Sequence, residues 1–243
     1  MQRKGPSMLF LCLLSFVAGS TLHATSIVVV APNANAATNG TTDTFFLSGV
    51  VPTTFQTDIA ASQLTSLIGD TITSIGYRMP FNGASVAGPV TISGFSLELS
   101  GSANSIGSLS TNQAANIGAN AQVVDSGTLV LSGLVGGLGG SGTNPFFLIN
   151  FATPYLYSGG DLLVTESYST SNATFAVDAV RVGSLIDTSG SVGGAAYAEF
   201  FFAPVTEFVA TTPTTSPVPE PSSLALLGTG VASLAGLLRK RFA

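Results

Sequence analysis

The sequence contains very few of the side chains that most often perform catalysis or bind transition metals. Among 243 residues there is one cysteine, Cys12, one histidine, His23, and no tryptophan. Both single residues lie within the first 24 positions, so the remainder of the chain has neither and can form no internal disulfide. Nucleophilic systems that need an imidazole base, and zinc sites of the usual Cys/His kind, are excluded there for the same reason.

Charged residues are also scarce, at 8% of the sequence, where about a quarter is usual in soluble proteins. Between residues 25 and 216 only Arg78 and Arg181 are basic, against eleven acidic residues. An acidic segment of this kind does not attract nucleic acid or anionic lipid through its charge. We interpret it as a solubilising surface, with recruitment of a divalent cation as the alternative.

The first 24 residues have the layout of a secretory signal peptide. A basic start is followed by an apolar stretch from Met8 to Ala18 and then by small and polar residues. The apolar stretch is too short to span a bilayer as a stable helix. We predict a signal peptide over residues 1–24, cleaved after Ala24 or, as the alternative, after Ser20; a retained N-terminal anchor is the competing interpretation.

Residues 25–212 predict an all-β ectodomain, because short apolar or alternating runs follow one another with turn residues between them. The alternation in TITSIGYRM (71–79) is typical of a half-buried strand. One short helical interruption is expected at 110–120, and turns are expected at 82–83, 158–160 and 188–190. The other predicted strands are 26–30, 42–51, 89–100, 121–133, 145–152, 161–168, 174–180 and 196–210. Many short strands of this kind predict an antiparallel β-sandwich of jelly-roll type.

The segment PVTISGFSLELS (89–100) contains a local irregularity. Val90 and Ile92 share one parity, whereas Phe95, Leu97 and Leu99 share the other. A β-bulge at Ser93-Gly94 would return both sets to one face of the sheet, and glycine is the residue that permits it.

Two kinds of binding or catalytic chemistry remain open on residue types alone. Paired carboxylates could support glycoside hydrolysis, and oxygen ligands in the loop over residues 32–43 could bind calcium. The glycine-rich GLGGSG (137–142) is interpreted as a loop, because a strand-like segment and not a helix follows it. The candidate carboxylates are Glu98, Asp125, Asp161 and Glu166, and the candidate calcium ligands are Asn33, Asn35, Asn39 and Asp43.

The last 31 residues form three successive parts. Residues 213–221 predict an extended Pro-rich linker that contains Pro219, Glu220 and Pro221. Residues 222–238 carry no charge and would be about 25 Å long as a helix, near the lower limit for spanning a membrane. The basic residues that follow predict a cytoplasmic tail over 239–243 and an ectodomain on the outer side; they are Arg239, Lys240 and Arg241.

This C-terminal arrangement resembles the PEP-CTERM sorting signal of exported bacterial proteins. The resemblance implies recognition by an exosortase, a membrane-embedded protease that would cut near Pro219-Glu220-Pro221 and pass the ectodomain to the cell surface. Three stretches, VVAPNANAATNG, TSIGYRM and TPYLYSGGDLLV, are similar to one group of exported proteins with this tail. In that group an acidic residue is expected soon after the arginine of the third strand, whereas here Arg78 is followed by MPFNG.

The sequence therefore predicts an exported, non-enzymatic cell-surface or matrix protein. Its precursor would be anchored in the cytoplasmic membrane until an exosortase processes it, and its ectodomain would associate with extracellular polysaccharide. No cofactor is predicted. The alternatives are a calcium-dependent carbohydrate-binding module and, more remotely, a glycosidase-like enzyme.

Overall fold

A computed structural model describes residues 25–45, 47, 49–137, 143–197, 201–213, 228–231 and 238. The chain divides into two units, one over Ala24–Pro213 and one made of Met1–His23 with Thr214–Ala243. The predicted signal peptide, the linker beyond residue 213 and most of the predicted span at 222–238 lie outside the described residues. Residues 228–231 and 238 are helical. Within the part of the chain that is described, no helix has the length and apolar character needed to cross a bilayer.

The unit Ala24–Pro213 is built almost entirely from antiparallel β-strands. Its only helical elements in the described ranges are short 3-10 turns at Asn33–Asn35, Ala61–Gln63, Thr65–Leu67 and Gln113–Asn116. The strands are β1 (Ser26–Ala31), β2 (Thr42–Thr44), β3 (Thr53–Ile59), β4 (Thr71–Arg78), β5 (Val90–Gly101), β6 (Gln122–Leu131), β7 (Phe146–Leu156), β8 (Leu162–Tyr168), β9 (Thr170–Ser171), β10 (Val177–Arg181), β11 (Ile186–Val192), β12 (Ala195–Tyr197), β13 (Phe202–Pro204) and β14 (Thr206–Thr211).

These strands form three sheets, in which every pair of neighbours is antiparallel. The four-stranded sheet has the order β1-β14-β4-β7. The seven-stranded sheet has the order β12-β11-β3-β8-β5-β6, with β9 paired to β5. A small sheet has the order β13-β10-β2. The predicted antiparallel all-β class is therefore confirmed.

The two larger sheets contribute to one cluster of buried apolar side chains. Ile75 and Tyr77 of β4 belong to this cluster together with Phe55 and Ile59 of β3 and Leu97 of β5. Burying a side chain of this size stabilises the folded state by roughly 1.5–3 kcal/mol. Because successive strand residues point to opposite faces, the residues between these core positions lie on the outer faces of their sheets.

The predicted β-bulge in β5 is confirmed. The pairing of β5 with β6 shifts register between Ser93 and Phe95, and Gly94 between them has a φ of 62°. Positive φ is accessible to glycine at no steric cost. The apolar residues on both sides of the bulge are consequently all buried.

Several predicted elements differ from the structure. The strand expected over 42–51 is only three residues long, and the one expected over 196–210 is divided into β12, β13 and β14. The turn expected at 188–190 is wrong, since these residues lie inside β11, which pairs along its length with β3. The half-buried interpretation of 71–79 is also wrong, because β4 is buried on both faces from Ser74 onwards.

Candidate functional site

The outer face of the four-stranded sheet carries a buried ion pair. Arg78, the last residue of β4, is 0% exposed. Its Nε and Nη2 atoms both lie 2.8 Å from Oδ2 of Asp178 on β10, and Nη2 also donates to the Thr38 carbonyl at 2.6 Å. The Phe146 ring lies 5.0 Å from the guanidinium carbon. The acidic partner of Arg78 therefore comes from a distant strand, and not from the residues that follow it in sequence.

The loop before β2 is fixed against this ion pair. The Gly40 amide donates to both carboxylate oxygens of Asp178 at 2.9 Å. A Cβ atom at position 40 would lie 2.1 Å from the Ala179 carbonyl oxygen, so only glycine fits there. A cavity of about 210 Å³ lies beside the loop and is lined by residues that include Asp43 and Phe81.

The four candidate calcium ligands lie on or beside this loop. Asn35 donates its side-chain amide to the Asn39 carbonyl at 3.0 Å, and Asp43 is exposed on β2. Among the residues that the structure describes, no three Asp, Glu, His or Cys side chains are close enough together to hold a metal ion. Calcium binding by this loop stays a prediction.

A second polar centre lies in the core between the two larger sheets. Tyr77 of β4 donates a hydrogen bond to Oε1 of Glu166 on β8. Burial raises the pKa of the Glu166 carboxyl to about 8, and the hydrogen bond from Tyr77 opposes part of that rise. Burial, together with the adjacent carboxylate, also raises the pKa of Tyr77. At neutral pH Glu166 is therefore mostly a neutral acid that joins the two sheets.

A third polar centre lies on the outer face of the seven-stranded sheet. Asp58 of β3 is 0% exposed and lies directly opposite Asp187 of β11 in the strand register. Ser102 donates to Oδ2 of Asp58 at 2.9 Å, whereas Oδ1 is buried without a hydrogen-bond partner among the described residues. Burial raises the pKa of Asp58 to about 7. The charges of Asp161 and Asp187 add to this rise, and the hydrogen bond from Ser102 and the dipole of the adjacent Ile59 amide oppose it.

The segment 101–118, which we call the flap, covers this third centre. Asn116 of the flap donates to Gln56 at 2.8 Å and to the Ser189 hydroxyl at 3.1 Å. The Gly107 amide donates to Oδ2 of Asp187 at 3.0 Å. The flap closes on itself at its base, where Gly118 donates to the Gly101 carbonyl at 2.9 Å. The helical interruption predicted at 110–120 is the 3-10 turn at the end of this flap.

The four predicted carboxylates serve different parts of the fold. Glu166 is engaged with Tyr77 in the core, and Asp161 accepts a hydrogen bond from the Ala61 amide at 2.8 Å. Glu98 of β5 pairs in register with Val123 and Thr165, and Asp125 of β6 pairs with Leu97. A catalytic role for any pair of them stays a prediction.

Sequence reasoning missed the centre formed by Asp58 and Asp187. No strand was expected at TTFQTDI, where polar residues occur on both parities. The signal that could have found β3 is the alternation of Phe55, Thr57 and Ile59, which predicts one core-facing side. On the other side, Gln56 and Asp58 are buried and accept hydrogen bonds from Asn116 and Ser102 of the flap.

The residues predicted for sorting and processing, Pro219, Glu220 and Pro221, lie outside the described residues, as do Arg239, Lys240 and Arg241. Comparison with known families identified the PEP-CTERM protein-sorting motif over residues 217–241. No curated protein and no solved structure matched the chain. The matched segment includes the Pro-Glu-Pro sequence, the uncharged run and the basic cluster, and excludes the β-rich unit. The chain therefore carries a PEP-CTERM protein-sorting motif over residues 217–241.

Proposed function

We propose that this chain is an exported, non-enzymatic surface or matrix protein that an exosortase sorts and processes. The observation that carries the proposal is the sorting motif over residues 217–241. Residues 1–24 act as the signal peptide and residues 222–238 anchor the precursor in the cytoplasmic membrane. The cluster Arg239–Arg241 keeps the tail cytoplasmic, and cleavage occurs near Pro219–Pro221.

The delivered part is the β-rich unit, which we propose to be a sandwich of jelly-roll type. Support comes from the single apolar cluster to which β3, β4 and β5 of both larger sheets contribute. A non-enzymatic role is favoured because four buried carboxylates of this unit accept internal hydrogen bonds; they are Asp58, Glu166, Asp178 and Asp187. The unit acts by association, and extracellular polysaccharide is the proposed partner. Its acidic character favours neutral polymers over anionic ones.

The intact mass of the protein isolated from the surface of its native host tests the processing step. We expect a mass that lacks Leu224–Ala243. A variant with Pro219, Glu220 and Pro221 all changed to alanine should keep its full C-terminus in the membrane fraction, while the control Pro213→Ala is processed normally. Finding the complete C-terminus on wild-type protein at the surface would refute the proposal.

A further inference from the structure

In addition to the bonds of Asn116 to Gln56 and Ser189, the flap donates two hydrogen bonds to the carboxylates of two facing aspartates. Ser102 binds Asp58 and the Gly107 amide binds Asp187. Beneath the flap, Ser189, Gln56 and Thr165 form a row of hydrogen-bonding side chains across three neighbouring strands. Gln56 and Ser189 are each 0% exposed. The closed flap therefore hides Gln56 and Ser189 from solvent, whereas Thr165 is partly exposed.

The charges around Asp58 do not compensate one another. Asp187 faces it from β11, and Asp161 adds its charge from the residue before β8. The flap contributes only Ser102, because residues 101–118 include no titratable side chain. Arg78 and Arg181 are the only basic residues between 25 and 213, and Arg78 is already paired with Asp178. Two like charges directly opposite each other on neighbouring strands are destabilising, and their burial increases the cost.

From this arrangement we infer that the flap is a pH-sensitive lid. A proton on Asp58 keeps the lid closed over the outer face of the seven-stranded sheet. When that proton is lost, the ionised Asp58 lies buried beside Asp161 and Asp187 without a compensating cation, and opening of the flap relieves this cost by admitting water to the carboxylates. The open lid then exposes Gln56 and Ser189 beside the partly exposed Thr165. These side chains are suited to hydrogen-bond a polar, uncharged ligand.

The ionisation behaviour of Asp58 agrees with this inference. Burial and its acidic neighbours raise its pKa to about 7, so the group changes charge within the range that an exported protein meets. Its unpartnered Oδ1 atom can carry the proton. The inference concerns the β-rich unit and does not depend on how the C-terminal segment is processed.

Hydrogen exchange of the purified full chain in detergent tests the lid. Protection factors, corrected for the intrinsic pH dependence of exchange, would be measured for flap amides at about pH 6 and about pH 8, on either side of the pKa of Asp58. The Gly107 amide reports the opening of the flap directly, because it donates to Asp187 in the closed flap. Amides of β1 and β14 serve as an internal reference. We expect flap protection to fall at least about tenfold at the higher pH, while the reference amides keep theirs.

Three variants distinguish a lid from a loop that is merely mobile. Asp58→Asn mimics the protonated acid and should keep the flap protected at both pH values. Asp187→Asn leaves a single side-chain oxygen for the two N–H groups, of Gly107 and Thr188, that donate to Asp187, and should lower flap protection at both pH values. Asp125→Asn, on β6 of the same sheet, is the matched control and should behave like the wild type.

Two results would overturn the inference. One is equal protection of the flap amides of the wild type at both pH values. This result comes from the wild type alone and does not depend on the folding of any variant. The other is recovery of protection at about pH 8 on addition of calcium chloride alone, which would mean that a cation and not a proton closes the flap.

Discussion

The β-rich unit buries ionisable side chains at two places on its outer faces. The two places differ in whether a partner of opposite charge is present. At Arg78 a guanidinium is matched by the Asp178 carboxylate at 2.8 Å and is covered by the small sheet. At Asp58 a second carboxylate, Asp187, takes the place that a cation would occupy, and the flap covers both. Both Arg78 and Asp58 are 0% exposed. The comparison shows that burial alone does not determine how a charged centre behaves.

The difference has a simple electrostatic consequence. In a matched pair the two charges compensate each other, so its burial does not require a proton. An unmatched pair can be buried at low cost only while one member is protonated. The centre at Arg78 is therefore a fixed structural anchor, whereas the centre at Asp58 is expected to change with pH.

The largest expected effect comes from breaking the matched pair. Arg78→Met leaves the Asp178 carboxylate buried without its cation and should lower the free energy of unfolding by about 3–5 kcal/mol. Urea unfolding of the purified chain would measure this loss in the free energy of unfolding. Arg181→Met is the control, because Arg181 is exposed on the neighbouring strand β10, and it should cost less than about 1 kcal/mol.

The double variant Arg78→Met with Asp178→Leu sharpens this result. Because both charges are then absent, a substantial part of the lost stability should return. The contrary result is a loss in the free energy of unfolding equal to the sum of the losses of Arg78→Met and Asp178→Leu measured separately. In that case, charge compensation is not what makes Arg78 important.

A smaller effect is expected from the loop that packs on the matched pair. Gly40→Ala would place a Cβ atom 2.1 Å from the Ala179 carbonyl oxygen and displace the amide that binds Asp178. A loss of about 1–3 kcal/mol in the free energy of unfolding should follow. Gly183→Ala is the matched control, since no atom lies within 4 Å of the added carbon. Equal stability of the two variants would show that the loop is not held at this point.

The sequence predicted the features that depend on local signals. The change of parity around Gly94 is such a signal, and the bulge lies where it was expected. The sorting motif is another, because its three parts are contiguous in the sequence. The all-β class followed from the frequency of short alternating runs.

Features that depend on distant partners could not be predicted in this way. The sequence at 188–190 has the composition of a turn, but pairing with β3 holds it in an extended strand. From the local sequence, Asp58 is expected to be exposed to solvent. In the structure it is covered by the flap, which begins more than forty residues further along the chain. Arg78 finds its partner at Asp178 on another sheet. In each case the environment of the side chain is created by tertiary contacts.

The stability of the unit against pH tests the contrast between the two centres most directly. Folding raises the pKa of Asp58 from 3.8 to about 7 and that of Glu166 from 4.5 to about 8. The folded state therefore binds more protons than the unfolded state between these values, and stability must fall as the pH rises through this window. Above about pH 8 the contribution of both groups is lost and the curve should level off.

The decisive measurement is the free energy of unfolding in urea at about pH 5 and about pH 9, for the wild type and for Asp58→Asn. We expect the wild type to lose at least about 1 kcal/mol more than the variant between the two pH values. The variant should keep the decline that comes from Glu166, whose pKa is raised to about 8 and whose contribution over this interval is the larger of the two. A wild type that is equally stable at both pH values, or a variant whose stability falls as steeply as that of the wild type, would contradict this account.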